Sequence, residues 1–190
     1  MKARKRIENT EFIGFLKPNL LAEIKPYFGL GGFSFNQNIK DFEQVWTYSY
    51  FEKEIKNRLT FKLDKKYFFL NITTENNEIG FDIDLFTGKL SSITCGKGYK
   101  GKLDNGIGIG SSIKDALKKD SRLGYNLDTD WIDRTPFDGL IIYVPHKLQM
   151  KCWDNTSRGI ELPDFEIEQI ELIDLDFAKK FYGDGELVFE

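Results

Sequence analysis

The stretch NGIGIGSSIKDAL, residues 105–117, places glycines and serines ahead of an apolar-periodic run and raises the question of a phosphate-binding loop. A Walker-type loop needs lysine followed by serine or threonine after its last glycine, because the ammonium reaches the terminal phosphates and the hydroxyl holds magnesium. Gly110 is followed by Ser111 and Ser112 instead, and the glycine spacing also departs from the GxGxxG pattern of dinucleotide sites. The stretch is therefore predicted to be a structural turn in which a serine caps a short helix.

A second group of residues with chemical potential is the acidic run NLDTDWID, residues 126–133, in which Asp128, Asp130 and Asp133 surround Trp131. An EF-hand calcium loop is not predicted, because its sixth position requires glycine and Asp133 stands there. Two interpretations stay open. One is a solvated loop with Trp131 turned inward, and the other is an acidic, aromatic contact surface of the kind found at protein interfaces.

Acids also alternate with apolar residues in FEIEQIELIDLDF, residues 165–177. This pattern is typical of a strand with one packed face and one wet face, and it predicts an outer stripe of Glu166, Glu168 and Glu171. Acids along a strand edge discourage aggregation, so the stripe has a structural explanation as well as a possible binding role.

The residues most often used for metal binding and nucleophilic catalysis are few. His146 is the only histidine, and Cys95 and Cys152 lie far apart without a close pair of zinc ligands. Both cysteines fall in half-apolar, strand-like runs, which predicts reduced and buried thiols that serve packing. We therefore expect no metal and no cofactor, and an enzyme would have to work through carboxylates alone.

Composition adds a marked charge asymmetry. The net charge is -3, but residues 1–100 carry 16 basic against 12 acidic side chains, whereas residues 101–190 carry 11 against 18. The acidic second half has two interpretations: it is a solvated surface, or it is a face that repels nucleic acid and attracts a basic partner. A hydrophobic share of 41% favours a globular fold. We expect a cytoplasmic protein without membrane contact, since we find no secretory signal and no apolar run near the ~20 residues that cross a bilayer.

The elements that would position these residues show an internal repeat. GFSFNQNIKDF at 32–42 aligns with GIGIGSSIKDAL at 106–117 at an offset of 74 residues, and Leu90–Ile93 aligns with Ile167–Ile170 at an offset of 77. Matching blocks in the same order predict a tandem duplication.

Each unit is predicted to contain a short extended segment, a helix that begins near Asn38 or Ser112, and an antiparallel meander. Strands are predicted at 59–63, 67–72, 79–86, 89–95, 139–145, 148–153, 159–162 and 165–173. The predicted fold class is α+β, with two tandem helix-plus-meander units that share one sheet and carry their helices on one face. The predicted organisation is an N-terminal helical segment at 1–27, a first unit at 28–100 and a second unit at 101–190.

The twofold arrangement of an apolar-glycine turn, a capped helix and a meander resembles the tandem units of beta-lactamase-inhibitor-like proteins, which bind other proteins and have no active site. An acidic, aromatic-rich cytoplasmic protein of this size also resembles bacterial toxin immunity proteins, including those of contact-dependent growth inhibition. The resemblance covers residues 28–175. It implies a non-enzymatic protein that covers the active site of a cognate toxin domain, often a basic nuclease.

We expect two sets of contacts with such a toxin. The first set is Asp128, Asp130, Trp131 and Asp133, and the second is Glu166, Glu168 and Glu171. An accessory or structural protein of a bacterial or phage system, without a toxin partner, is the alternative function.

Overall fold

The structure is a computed structural model that describes residues 18–42, 59–64, 68–74 and 78–179. Most of the predicted N-terminal helical segment, and the continuation of the first helix beyond residue 42, lie outside the described residues. The strands are β1 (Gly29–Leu30), β2 (Phe33–Ser34), β3 (Leu59–Asp64), β4 (Phe69–Thr74), β5 (Ile79–Asp84), β6 (Leu90–Cys95), β7 (Leu123–Asn126), β8 (Trp131–Arg134), β9 (Leu140–Tyr143) and β10 (Ile170–Ile173). The helices are a 3-10 helix (Ile39–Phe42), α1 (Ile113–Lys119) and α2 (His146–Ser157).

Eight of these strands form one antiparallel sheet in the described part of the chain. Their order is β3-β4-β5-β6-β10-β9-β8-β7, and β1 and β2 form a separate hairpin. The last strand of the first meander, β6, therefore pairs with β10 at the middle of the sheet, and the earlier strands follow outward on both sides. The prediction of an α+β fold with antiparallel strands is confirmed.

One face of the sheet, which we call the core face, packs against the helices. Alternation in β5 puts Ile79, Phe81 and Ile83 on this face, where all three are buried in the main hydrophobic cluster. The same cluster takes in Ile113 from α1 and Cys152 from α2. The helices α1 and α2 thus cover the core face.

The opposite face, which we call the second face, is partly covered as well. Ile141 of β9 and Ile173 of β10 lie on it and form a smaller buried cluster with Phe137 and Ala178. Ala178 belongs to helical residues at 175–179, so helical chain packs on this face too. The expectation that all helices lie on one face is wrong, because the chain after β10 crosses the sheet to bury apolar side chains that the meander leaves exposed.

The segment 148–153 was predicted as a strand and is part of α2. Its sequence LQMKCW alternates like a strand, but Leu148 and Cys152 are also four residues apart, which places both on one face of a helix. Leu148 packs against the main cluster and Cys152 is buried, whereas Met150 is 80% exposed. A short apolar run does not distinguish the two periods, and packing decides between them.

The predicted helix starts are confirmed at Asn38 and Ser112. The side-chain oxygen of Asn38 accepts a hydrogen bond from the amide of Lys40 at 2.8 Å, and Asp41 accepts one from the amide of Asn38 at 2.8 Å. Ser112 Oγ accepts from the amide of Asp115 at 3.3 Å at the start of α1. Each cap satisfies a backbone donor that the helix itself leaves free.

A buried ionic cluster joins the end of α1 to β8. Arg134, which is 4% exposed, reaches Asp120 at 2.7 Å and Asp138 at 2.6 Å. Burial raises the pKa of Asp120, but hydrogen bonds from Arg122 and the charge of Arg134 outweigh it and lower this pKa overall. Since removal of one member would leave a buried charge without its partner, the cluster fixes β8 relative to α1.

Candidate functional site

One end of the sheet gathers most of the acids that the sequence singles out. β8 begins at Trp131 and β10 begins at Ile170, whereas β6 ends at Cys95 and β9 ends at Tyr143. Because neighbouring antiparallel strands run in opposite directions, these four strand termini lie at the same end of the sheet. The turn before β8 and the segment before β10 therefore both lie at this end.

The turn at residues 127–130 joins β7 to β8 and exposes Asp128 and Asp130. Asn126 fixes its shape, since its side-chain oxygen accepts from the amide of Asp128 at 3.0 Å and its carbonyl accepts from the amide of Asp130 at 3.0 Å. Tyr125 donates its hydroxyl to Asp130 Oδ1 at 2.8 Å. The predicted acidic loop is the tight turn of a hairpin, in which the carboxylate of Asp130 is hydrogen-bonded and the backbone of Asp128 is fixed.

Trp131 and Asp133 follow this turn on the second face. Trp131 is half-buried and donates its indole Nε1–H to Asp133 Oδ2 at 3.0 Å, and Asn126 donates to the same oxygen at 3.0 Å. Asp133 is only 7% exposed. Burial raises the pKa of Asp133, and the two hydrogen bonds offset this only in part. The expectation that Asp133 is an accessible acid is wrong, because its place on the second face puts it beneath packed side chains.

Glu166 and Glu168 are exposed in the extended segment before β10, and Ile167 between them is buried. The backbone of Ile167 accepts a hydrogen bond from Gly110 at 2.8 Å and donates one to the carbonyl of Ser111 at 2.9 Å. These bonds fix the backbone that carries both glutamates. Neither carboxylate has an ion-pair partner among the described residues.

Glu171 does not continue the predicted outer stripe. It is 9% exposed and accepts a hydrogen bond from the hydroxyl of Tyr143. Burial raises the pKa of Glu171, hydrogen bonds from Tyr143 and Ser92 lower it, and the nearby charge of Asp82 raises it further. The stripe prediction is correct for Glu166 and Glu168 and wrong for Glu171, which lies in the middle of the sheet.

A polar network around Glu171 was not predicted. Asn71 donates to Asp82 Oδ1 at 2.8 Å, and Ser92 Oγ lies 3.1 Å from Asp82 Oδ2. Ser92 therefore reaches both Asp82 and Glu171, and a protonated Glu171 can donate to Ser92 while Ser92 donates to Asp82. The alternation in IGFDIDLF placed Asp82 opposite the apolar face, but only the strand order brings Asn71 and Ser92 beside it.

A groove of about 800 Å³ opens on the second face beside Glu166 and Glu168. Its size falls in the range of about 300–1,000 Å³ that is usual for ligand pockets. Its floor is formed by Thr73, Gly80 and Thr94, which are neighbours on three adjacent strands. The groove was not predicted, because its floor and its wall come from segments that are distant in the sequence.

The glycine-rich stretch that first suggested phosphate binding lies at the wall of this groove. Gly106 and Gly110 adopt positive φ angles of 81° and 82°, which glycine accommodates without strain. The amides at the start of α1 are used within the chain, since Ile113 donates to the carbonyl of Phe165 at 2.9 Å and Lys114 donates to Asp164 at 3.2 Å. This arrangement agrees with the structural turn that the sequence predicts.

Both cysteines are free and buried, as predicted. Burial raises the pKa of Cys95 to about 12, so its thiol stays protonated at neutral pH. Burial also raises the pKa of Cys152. Within the described ranges, no group of three or more histidine, cysteine or acidic side chains is arranged to hold a metal ion.

Comparison with known proteins gives no match, whether with family models, with curated sequences or with solved structures. In the part of the chain that the structure describes, no helix has the length and apolar character needed to span a bilayer.

Proposed function

We propose that this chain is an immunity protein that binds and blocks a cognate bacterial toxin domain. The proposed toxin is a basic nuclease. The observation that carries the proposal is the concentration of exposed acids at one end of the sheet. We call Asp128, Asp130, Glu166 and Glu168 the acidic rim. All four are exposed, and the half-buried Trp131 directly follows Asp130 in the chain.

Electrostatics and packing have separate roles in this proposal. The acidic rim attracts a basic surface over a distance comparable to the Debye length, about 8 Å at physiological ionic strength, and so raises the association rate. Trp131 offers an amphipathic ring of the kind that dominates interface energetics. Its indole N–H is already bonded to Asp133 at 3.0 Å, so the ring orientation is fixed before binding.

The proposed architecture is two tandem units, residues 28–100 and 101–190, that share the sheet. Two isolated bridges support it. Asn38 pairs with Lys89, and Ser112 pairs with Glu166. The two helix caps are 74 residues apart and their partners are 77 residues apart, which are the offsets that align the two halves of the sequence.

Backbone hydrogen bonds next to these bridges follow the same offsets. The amide of Leu90 donates to the carbonyl of Gln37 at 3.3 Å, and the amide of Ile167 donates to the carbonyl of Ser111 at 2.9 Å. Each helix cap is thus attached at or a few residues before the start of the last strand of its own unit. Duplication of one ancestral unit would place the same backbone contact in both units. Chance similarity of short apolar runs would not.

The test is neutralisation in cells. The chain is co-expressed with the product of the gene immediately upstream of its own, which the proposal expects to be toxic when expressed alone, and growth and complex formation are measured. We expect the chain to restore growth and to co-purify with the toxin. If the wild-type chain neither binds this toxin nor restores growth, the proposal fails.

Charge reversal tests the surface within the same experiment. The triple variant Asp128→Lys, Glu166→Lys and Glu168→Lys is expected to slow association and to lose its dependence on salt. The matched control reverses three exposed acids elsewhere, Glu23, Asp115 and Glu161. Equal association rates for the two triple variants at low salt would exclude the acidic rim as the contact surface.

A further inference from the structure

The groove on the second face has a counterpart that the chain itself fills. Thr94 of β6 and Glu171 of β10 are paired at the middle of the sheet. From this pair, one continuous row of neighbouring residues runs outward across the strands in both directions. On the side of the first meander the row is Thr94, Gly80 and Thr73, and on the side of the second it is Glu171, Ile141 and Asp133. We call these the open half and the covered half of the row.

The covered half is closed by the chain that follows β10. Ile141 is 0% exposed and lies in one cluster with Phe137 and Ala178, the latter from the helical residues at 175–179. Phe177 in the same segment reaches past the centre of the sheet to β4, where its ring centroid lies 5.1 Å from that of Phe69, four residues along the strand from Thr73. A polypeptide segment therefore crosses the second face and supplies the apolar contacts that this half needs.

The open half has a different floor. Gly80 stands where the covered half has Ile141, and Thr73 and Thr94 stand on either side of it. Thr73 and Thr94 are half-exposed and both line the groove. The lining of the groove is mixed, since Asn71 and Gln169 stand beside Ile109 and Ile167, and such a lining suits an extended segment that carries both polar and apolar groups.

Charges around the groove favour a basic occupant. Its charged lining residues among those described are Glu166, Glu168 and Lys97, so carboxylates outnumber the single ammonium. All three side chains are exposed, and neither carboxylate has an ion-pair partner in the described chain. A cation placed between Glu166 and Glu168 would gain two attractive partners.

We infer that the groove receives an extended, lysine- or arginine-bearing segment of the partner protein, in the open half of a face whose other half is covered by the chain's own residues 174–179. This inference rests on the proposed function and adds the chemistry of the segment that is recognised. Glu166 and Glu168 pair with its basic side chains, and Thr73 and Thr94 hydrogen-bond to its backbone.

The probe for the test is a synthetic peptide of about nine residues that alternates lysine and threonine and extends over about 30 Å. Its binding to the full chain is followed by the amide NMR signals of Gly80, Gly96 and Gly110, which line the groove. We expect saturable shifts at these glycines at low salt. The matched peptide with glutamate in place of lysine is expected to give none.

Two double variants separate groove binding from general attraction. Glu166→Lys with Glu168→Lys is expected to weaken the lysine peptide by about ten-fold or more, because it replaces both attractive charges of the groove by repulsive ones. Glu23→Lys with Glu161→Lys makes the same change in net charge at exposed positions outside both the groove and the acidic rim, and is expected to weaken it far less. Any one of four results would overturn the inference. These are no binding of the lysine peptide, equal binding of the glutamate peptide, signal shifts confined to residues outside the groove, and equal weakening by the two double variants. Growth protection by the wild-type chain would in that case still uphold the proposed function.

Discussion

The two halves of one cross-strand row show how the same backbone arrangement serves two purposes. In the covered half, Ile141 is fully buried between two acids, Asp133 and Glu171, that are themselves buried. In the open half, Gly80 lies between two half-exposed threonines beside a groove. The difference lies in a few side chains and in the path of residues 174–179. It indicates that buried packing is concentrated in one half of the second face and that a groove stays open in the other.

The largest expected difference between the halves concerns packing. Ile141→Ala should lower the free energy of unfolding by about 2–5 kcal/mol, because it removes a fully buried side chain and leaves a cavity. Thr94→Ala, in the open half, should cost less than about 1 kcal/mol, since its side chain is half-exposed. Urea unfolding of both variants measures the contrast. Equal losses of unfolding free energy would show that the covered half is not packed better than the open half.

The next largest effect concerns pH. The pKa of Glu171 is raised in the folded protein, so above the ordinary carboxyl value of about 4.3 the folded state holds more protons than the unfolded state, until pH reaches the raised value. The stability contributed by this group is present at low pH and is lost as pH rises through that window. Glu171→Gln should remove this loss, which amounts to a slope of at most about 1.4 kcal/mol per pH unit for one proton.

The measurement is urea unfolding of wild type and Glu171→Gln at a series of pH values from about 4 upward. Glu168→Gln removes a carboxyl from an exposed position and serves as the control. Parallel pH profiles for wild type and Glu171→Gln would contradict the buried environment assigned to Glu171.

A smaller effect compares the two helix caps. Asn38→Ala and Ser112→Ala should each lower the free energy of unfolding by about 0.5–2 kcal/mol, because each removes a side-chain acceptor for a free helical amide. Similar losses would strengthen the equivalence of the two units. If Ser112→Ala lowers the free energy of unfolding and Asn38→Ala does not, the two units are not equivalent at their helix caps. Calorimetry of the two single variants measures both values.

The smallest effect on stability is expected for Gly80→Ala. A Cβ at this position would stand 3.0 Å from the methyl group of Thr73, so that side chain must shift slightly. The loss of backbone freedom in the unfolded chain works in the opposite direction, and the net change should stay within about 1 kcal/mol. The added methyl nevertheless narrows the groove floor, so binding of the lysine peptide should weaken. Unchanged binding would show that the peptide does not reach the floor.

Local pattern was enough to predict much of the sheet. The strand predicted at 79–86 is present as β5, and its alternation correctly separates the buried Ile83 from the second-face Asp82. Ser112 was recognised as a helix cap because a cap depends only on residues a few positions away. The strand at 139–145 is present as β9.

What could not be predicted depends on distant segments. An acid-rich run such as NLDTDWID has the composition of a loop, yet it contains the turn and second strand of the β7–β8 hairpin. Alternation tells which face Glu171 occupies, but whether that face is wet depends on the chain after β10. The groove depends on Gly80, which by sequence is only a weak position in a strand, and on a wall from residues 166–169.

The central pair of strands also sets the order in which the fold can assemble. Within each meander the neighbouring strands β3 to β6 follow one another closely along the chain, as do β7 to β9. The β6–β10 ladder, in contrast, joins residues such as Thr94 and Glu171 that are 77 positions apart. Closing so long a loop carries an entropic cost that must be met before its contacts can stabilise the chain. The two meanders are therefore expected to form early, and pairing of β6 with β10 to be the slow step that completes the sheet and creates the groove.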